Sequence, residues 1–162
     1  MVAAQRSAMA KLPPMDGIWR GPGWMNEGQG RREMTVTYRV GPFLDNTVKV
    51  IEIKGYLADG SVGFHAFNVI SFDSEEKKEY VINARAGGRS GAFSFKLAPD
   101  GFIWNIGAAD SGLRYTATIK NGTWTEKGES LAPGRPATTV AEFTLRRIGD
   151  TDWPEAGAVP PR

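Results

Sequence analysis

The stretch LRYTATIKNGTWTEKGE, residues 113–129, decides which class of fold this sequence can adopt. Up to Asn121, apolar and polar residues alternate, which is the period of a half-buried β-strand. The pair Asn121-Gly122 tolerates the positive φ angles of a tight two-residue hairpin turn. Residues 123–129 follow as a second strand. The stretch therefore predicts an antiparallel β-hairpin.

The same two-residue period recurs along the chain. The other predicted strands are residues 17–26, 33–40, 48–56, 62–72, 79–86, 93–97, 102–106 and 139–147. No helical period separates them, which argues against a parallel α/β sheet. An open meander of this kind would leave two unpaired edges, and closure removes both. We therefore predict an all-β fold, a single up-and-down antiparallel barrel of about ten strands.

The two ends of the chain differ from this pattern. Residues 3–12 favour a helix that Pro13-Pro14 would end, so residues 1–15 are predicted to form a short N-terminal helix or lid. The barrel domain is predicted over residues 16–148. The proline-rich tail, residues 149–162, is predicted to be irregular and to pack on the barrel wall through Trp153.

Composition and charge exclude several classes of function. The 162 residues suit one domain, and 41% hydrophobic with 23% charged residues indicates a folded globular chain. A net charge of +2 without a basic cluster argues against nucleic-acid binding. No apolar run approaches the roughly 18 residues of a membrane span, so no membrane insertion is expected. The oligomeric state, monomer or dimer, stays open.

The chain contains no cysteine and one histidine, His65. Disulfides, thiolate catalysis and cysteine metal sites are therefore excluded, and no metal site is predicted. The start, Val2-Ala3-Ala4-Gln5, looks like the beginning of a mature exported protein with an added Met. We expect a periplasmic or secreted location, with a cytoplasmic one as the alternative.

The segment GIWRGPG, residues 17–23, resembles the Gly-x-Trp signature of calycins, the class that includes the lipocalins. The resemblance implies that Trp19 plugs one end of the barrel. It also implies that Arg146 or Arg147, from the last strand, lies across the Trp19 ring. Such a cation–π contact contributes about 0.5–2 kcal/mol.

Further landmarks are similar to those of an uncharacterised bacterial family of calycin-like barrels. They are the segments 41–44, 48–52, 100–104, 121–126 and 145–154, which together extend the resemblance over nearly the whole chain. The resemblance implies the fold and, because many members carry export signals, a periplasmic location. It implies no particular activity.

The longer pattern Gly-x-Trp-x-Gly-x-Gly also resembles nitrobindin-type haem barrels, which hold the haem iron with a histidine near the C-terminus. Residues 121–162 contain no histidine, and His65 lies in a strand in the middle of the chain. We therefore expect neither haem nor another cofactor.

A barrel of this size can enclose a small ligand, with aromatic residues along its wall and a few polar groups to orient it. The predicted ligand-binding residues are Trp24, Tyr38, Glu52, Asn68, Arg85, Trp104, Tyr115, Trp124 and Glu126. Ordinary core packing is the alternative for each aromatic residue.

Two carboxylates, Glu52 and Glu126, alternate with apolar residues and are predicted to face the interior. A buried carboxylate needs a partner, and Tyr38, Arg85 and Arg114 are the candidates. An exterior ion pair is the alternative, because a shift of one residue in strand register exchanges the two faces.

Three classes of function follow from these observations. The first is binding of a small apolar or amphipathic ligand inside the barrel. The second is a structural or interaction protein whose barrel is filled with side chains. The third is an enzyme with Glu52 or His65 as general base, although no residue is predicted to be catalytic, and a lone strand histidine is more often structural.

Overall fold

The computed structural model describes residues 1–26, 28 and 30–162. Within these residues lie one helix, α1 (Val2–Met9), and ten strands. The strands are β1 (Gly17–Asn26), β2 (Arg31–Phe43), β3 (Val48–Tyr56), β4 (Val62–Asp73), β5 (Glu79–Ala86), β6 (Arg89–Ala98), β7 (Gly101–Ile106), β8 (Gly112–Lys120), β9 (Thr123–Leu131) and β10 (Thr138–Gly149). The all-β prediction with a short N-terminal helix is therefore confirmed.

Each strand pairs antiparallel with the next, and β1 also pairs with β10, so the sheet closes into a barrel in up-and-down order. Closure gives both edge strands a hydrogen-bonded neighbour, which removes the unpaired edges of an open meander. In the hairpin of β8 and β9, Asn121 and Gly122 have φ angles of 52° and 71°, as a two-residue turn requires. The predicted barrel is confirmed.

The second strand continues further than the sequence predicts, to Phe43, because the C-terminal tail packs on its outer face. The Trp153 ring lies edge-on against Phe43, with 5.5 Å between ring centroids. On the other side the Arg39 guanidinium lies 4.4 Å from the Trp153 ring, and Arg39 pairs with Asp152. The tail is thus held on the barrel wall next to β2.

Helix α1 covers one end of the barrel. Ala8 and Met9 are buried, and the Tyr80 hydroxyl donates to the Ala8 carbonyl over 2.8 Å. At the other side of the helix, Arg6 pairs with Asp45. Because apolar side chains point down from this helix onto the interior, α1 and the linker after it close this end.

The Trp19 indole lies inside the covered end and is almost fully buried. Its N–H donates to the Met15 carbonyl over 2.9 Å, and its ring packs edge-on against Trp124 at 5.4 Å. A buried indole N–H needs a hydrogen-bond acceptor. The Met15 carbonyl, in the linker before β1, is the acceptor for Trp19.

The predicted stacking of Arg146 or Arg147 on Trp19 is wrong. In the described part of the chain, neither guanidinium makes a cation–π contact with that ring. Arg147 Nε donates to the Asp16 carbonyl over 3.1 Å, which holds its guanidinium over the backbone of Gly17. Arg147 therefore ties the start of β1 to the end of β10 through the backbone.

The close approach of β1 to β10 can be tested at Gly21. A Cβ atom at this position would clash with the Thr144 carbonyl oxygen, whereas one at Gly149 would meet nothing within 4 Å. We expect Gly21→Ala to lower the free energy of unfolding by about 1–3 kcal/mol, since a backbone atom cannot give way easily. The control Gly149→Ala should change it by less than about 0.5 kcal/mol. Urea denaturation measures both, and equal stabilities would contradict the close approach.

Candidate functional site

The interior of the barrel is packed unevenly along its axis. Towards α1, the inward-facing side chains keep at most 2% of their surface exposed; examples are Trp19, Val40, Ile70, Phe95, Phe102, Ile119, Trp124 and Leu145. Towards the other end, inward-facing residues are only partly buried, namely Phe64, Ala84, Ala86, Gly91, Phe93, Ile106 and Tyr115. We call these the packed half and the open half. The side chains of the first are closed to solvent, and those of the second remain partly open to it.

Small residues lie on one wall of the open half. The inward-facing positions of β5 shrink along the strand, from Tyr80 and Ile82 in or next to the packed half to Ala84 and Ala86 in the open half. The cross-strand neighbour of Ala84 on β6 is Gly91. The Phe93 ring lies over Gly91, where a Cβ atom would come within 2.6 Å of it, so the absence of a side chain at Gly91 makes room for this ring.

A buried carboxyl group lies where the two halves meet. Glu126 points inward from β9 and is 9% exposed. Its Oε2 atom accepts hydrogen bonds from the Tyr38 hydroxyl at 3.0 Å and from the Trp124 indole N–H at 3.1 Å. The Trp104 side chain nearby also favours the ionised carboxylate and lowers its pKa. All of these partners are neutral, so Glu126 is held by donors and not by a cation.

Burial raises the pKa values of Glu126 and of the two tyrosines near it, Tyr38 and Tyr115. Removal from water raises the pKa of Glu126, and the hydrogen bonds from Tyr38 and Trp124, together with the Trp104 side chain, only partly oppose this effect. Burial and then the negative charge of Glu126 raise the pKa of Tyr38 well above its ordinary value. The same two causes raise the pKa of Tyr115 to about 12. Both tyrosines therefore stay protonated, and Glu126 is the group that exchanges a proton.

One wall of the open half is a flat aromatic surface. Trp104 and Tyr115 are cross-strand neighbours whose rings stack at 4.7 Å with 16° between their planes. Phe93 packs against Trp104 at 6.1 Å. Gly128 lies under the Tyr115 ring, where a Cβ atom would come within 2.8 Å of it. The absent side chain lets the ring lie flat against the sheet.

Asn68 lies on the opposite wall, on β4. It points inward between its neighbours Ile51 and Ala84 and is only 6% exposed. Its side-chain amide makes no hydrogen bond with any described residue. The buried side-chain atoms that lack a partner among the described residues are Arg39 Nε and Ser74 Oγ, so the Asn68 amide keeps some contact with solvent inside the barrel.

The interior placement predicted for Glu52 is wrong. This carboxylate lies on the outer face of β3, with Oε2 3.4 Å from His65 Nε2 and Oε1 3.8 Å from Lys54 Nζ. Both faces of β3 carry β-branched residues, so alternation alone could not choose between them. Ile53 pairs with Tyr38, whose side chain points inward from β2. The face of β3 that carries Ile53 therefore points inward, and the face that carries Glu52 points outward. His65 is 53% exposed, so neither residue can serve as a base inside the barrel.

Trp24 and Arg85, two further predicted ligand-binding residues, lie on the outer face of the barrel and do not line its interior. With Trp19 turned inward on β1, Trp24 has to point outward. There its N–H donates to Glu142 over 3.1 Å, and the Arg31 guanidinium lies 4.4 Å from its ring. Arg85 is exposed on the outer face of β5.

The structure brings the remaining predicted residues together inside the barrel: Tyr38, Asn68, Trp104, Tyr115, Trp124 and Glu126. Their role in binding stays a prediction. Sequence reasoning missed the small residues that make room, Ala84, Ala86 and Gly91. The decreasing side-chain size along β5 was the signal that could have identified them.

A cleft of about 560 Å³ lies at the covered end of the barrel, between the linker after α1 and the turn at Asn121-Gly122, and Trp19 and Ile119 of the packed half form part of its wall. Lys49 Nζ at its wall lies 2.5 Å from Asp16 Oδ1, and Arg147 donates to the Asp16 carbonyl. These cations already have protein partners. The open half differs because its buried amide has none.

The fold defines a class, the closed ten-stranded antiparallel barrels, to which the chain belongs by its topology. It is similar to the crystal structure of Rv2717c from M. tuberculosis, with a TM-score of 0.62 and 13% sequence identity. The match covers 91% of this chain and 99% of that chain. At this identity the similarity shows the fold alone.

No protein-family model matches the chain, and no curated protein matches it in sequence. Among the described residues, no helix is long and apolar enough to cross a membrane.

The raised pKa of Glu126 predicts a pH dependence of stability. Between the ordinary value of 4.5 and the raised value, the folded protein binds a proton that the unfolded chain releases. The stability that Glu126 contributes is therefore fully present below 4.5 and is lost as the pH rises through the raised pKa. We expect the unfolding free energy of the wild type, relative to Glu126→Gln, to fall over this range in urea denaturation. A difference that does not change with pH would contradict the assignment.

The unpartnered amide predicts a stabilising substitution. Asn68→Leu replaces it with an apolar side chain of similar size, so we expect the free energy of unfolding to rise by about 1 kcal/mol or more. The control is Asn83→Leu, on the exposed outer face of β5, which should change it by less than about 0.5 kcal/mol. If Asn68→Leu instead lowers the stability in urea denaturation, the amide has a partner and the interpretation fails.

Proposed function

We propose that the open half of the barrel binds a small planar organic molecule that is apolar over most of its surface. The observation that carries this proposal is the pair of stacked rings, Trp104 and Tyr115, on the wall of the half whose inward-facing side chains remain partly open to solvent. The Asn68 amide, which makes no hydrogen bond with a described residue, lies across the barrel from them and can accept or donate one to a ligand.

The positions of the polar groups support the proposal. Strands β4 and β9 lie opposite each other, with β5 to β8 between them in one direction and β3, β2, β1 and β10 in the other. Asn68 on β4 and Glu126 on β9 therefore approach the interior from opposite sides. The stacked rings of Trp104 and Tyr115 lie between them around the wall. A flat ligand can pack on these rings while polar atoms at its edges reach Asn68 and Glu126.

The proposal includes the calycin-like assignment of the barrel. It is supported by the up-and-down order of the strands and by Trp19 at the covered end. In such a barrel the ligand occupies the half away from the plug, which here is the open half. The bacterial family and the periplasmic or secreted location stay predictions from the sequence.

We further propose that the ligand contains no iron held by histidine. His65 is the single histidine of the sequence, and it points away from the barrel interior. The residues placed above on the walls of the open half are aromatic, aliphatic or amide-bearing, apart from Glu126 and Gly91. This set of residues suits an organic ligand and does not fit a histidine-ligated haem.

A neutral fluorescent molecule tests the binding site. N-phenylnaphthylamine is planar and uncharged, and we expect the protein to bind it with enhanced emission and with quenching of tryptophan fluorescence. Ala84→Trp should fill the open half and weaken binding at least about tenfold, a loss of roughly 1.4 kcal/mol. The control Ala92→Trp adds the same ring to the outer face of β6 and should bind as the wild type does.

Circular dichroism verifies that both variants keep the barrel. Absence of binding by the wild type would contradict the proposal. So would equal effects of the two substitutions, because the site would then lie outside the interior.

A further inference from the structure

We propose that the ligand is a cation, such as a protonated or quaternary aromatic amine, whose positive charge lies next to the Glu126 carboxylate. This inference rests on the proposed function and assigns the chemical class of the molecule bound there.

The first argument is the distribution of charge inside the barrel. Among the described residues that are buried, the polar or charged side chains are Asn68 and Glu126. Arg114 on the neighbouring strand pairs with Glu129 at 3.0 Å on the outer face. Lys49, on the inner face of β3, pairs with Asp16 at the covered end. Among the described residues, no lysine or arginine forms a hydrogen bond or ion pair with Glu126.

The second argument is the way in which Glu126 is held. Tyr38 and Trp124 both donate to Oε2. Donors stabilise the ionised carboxylate more than the neutral acid, so the pocket is arranged for a negative charge. A buried anion that has donors but no counter-charge is costly. A cationic ligand would supply the missing charge, and Oε1 is the carboxylate oxygen that accepts no hydrogen bond from Tyr38 or Trp124.

The third argument is the aromatic surface beside the carboxylate. Trp104 and Tyr115 stack against each other, and the Tyr38 ring packs edge-on against Trp124 at 4.9 Å. The faces of such rings are electronegative and attract cations, Trp most strongly. The same faces repel anions. Aromatic rings around one carboxylate therefore favour a cationic planar ligand over a neutral or anionic one.

Three bicyclic molecules of similar size separate these possibilities: N-methylquinolinium, a permanent cation; methylquinoline, uncharged at about pH 8; and naphthalenesulfonate, an anion. Titration followed by tryptophan fluorescence or calorimetry measures each affinity. We expect the cation to bind roughly 10- to 100-fold more tightly than the neutral molecule, because an interaction with a charged group contributes that much to an affinity. The anion should bind most weakly.

Two variants locate the preference. Glu126→Gln keeps the shape of the side chain but not its charge, so the preference for N-methylquinolinium over methylquinoline should be lost. The control Glu129→Gln removes a carboxylate from the outer side of the same strand, where Arg114 and Lys127 pair with it. It should leave the preference for the cation intact.

The pH dependence of the wild type gives a test that needs no variant. Because N-methylquinolinium keeps its charge at every pH, its affinity should rise as Glu126 loses its proton. The other titratable groups facing Glu126 are Tyr38 and Tyr115, and their raised pKa values keep both protonated through this range. An affinity that does not change with pH would overturn the inference.

The outcomes distinguish this inference from the proposed function. If all three molecules bind with similar affinity and Glu126→Gln has no effect, the site binds planar ligands without regard to charge, and the inference is overturned while the proposed function stands. Tighter binding of the anion would overturn it as well. If neither these molecules nor N-phenylnaphthylamine bind, the proposed function itself fails.

Discussion

The pairing of β1 with β10 is the constraint on which the rest of the structure depends. It converts a chain of hairpins into a closed wall and gives every strand a defined inside and outside. Once closed, the wall places Trp19, Trp124 and Tyr38 in one enclosed space, where their rings pack edge-on against one another. An open sheet of the same sequence would expose these rings and the Glu126 carboxyl to water. Closure is therefore the condition for both the core and the candidate site.

The interior of the barrel is packed differently in its two halves. Near α1, large side chains fill the space completely and supply most of the apolar burial. In the open half, alanine and glycine on one wall face stacked aromatic rings on the other. Glu126 and Asn68 lie where these regions meet, and both are unfavourable to bury in the absence of a ligand. This combination, a well-packed support beneath a polar and loosely filled cavity, is typical of binding proteins, which give up some stability at the site.

Much of the fold could be predicted because period-two alternation and turn chemistry are local properties. Asn121-Gly122 defined a hairpin whose turn has the expected positive φ angles. Part of the candidate site could be predicted in the same way: Tyr115 and Trp104 share a face with their apolar neighbours. Glu52 could not be assigned correctly, because β3 is β-branched on both faces, and only its pairing with β2 and β4 selects one of them. The contact predicted between an arginine and Trp19 did not form, because Arg147 donates instead to the backbone at Asp16.

The sequence by itself determined the number of strands, their order and the closed all-β class, since each depends on patterns a few residues long. It also determined that the C-terminal part of the chain has no histidine that could bind a haem iron. The tertiary structure decided which carboxylate is enclosed, which tryptophan lies outside and where the interior is left unfilled. These depend on strand register and on side chains that meet across the barrel from distant positions, such as Tyr38 and Glu126, 88 residues apart. No local pattern carries that information, because a shift of one residue would exchange the inner and outer faces of a strand.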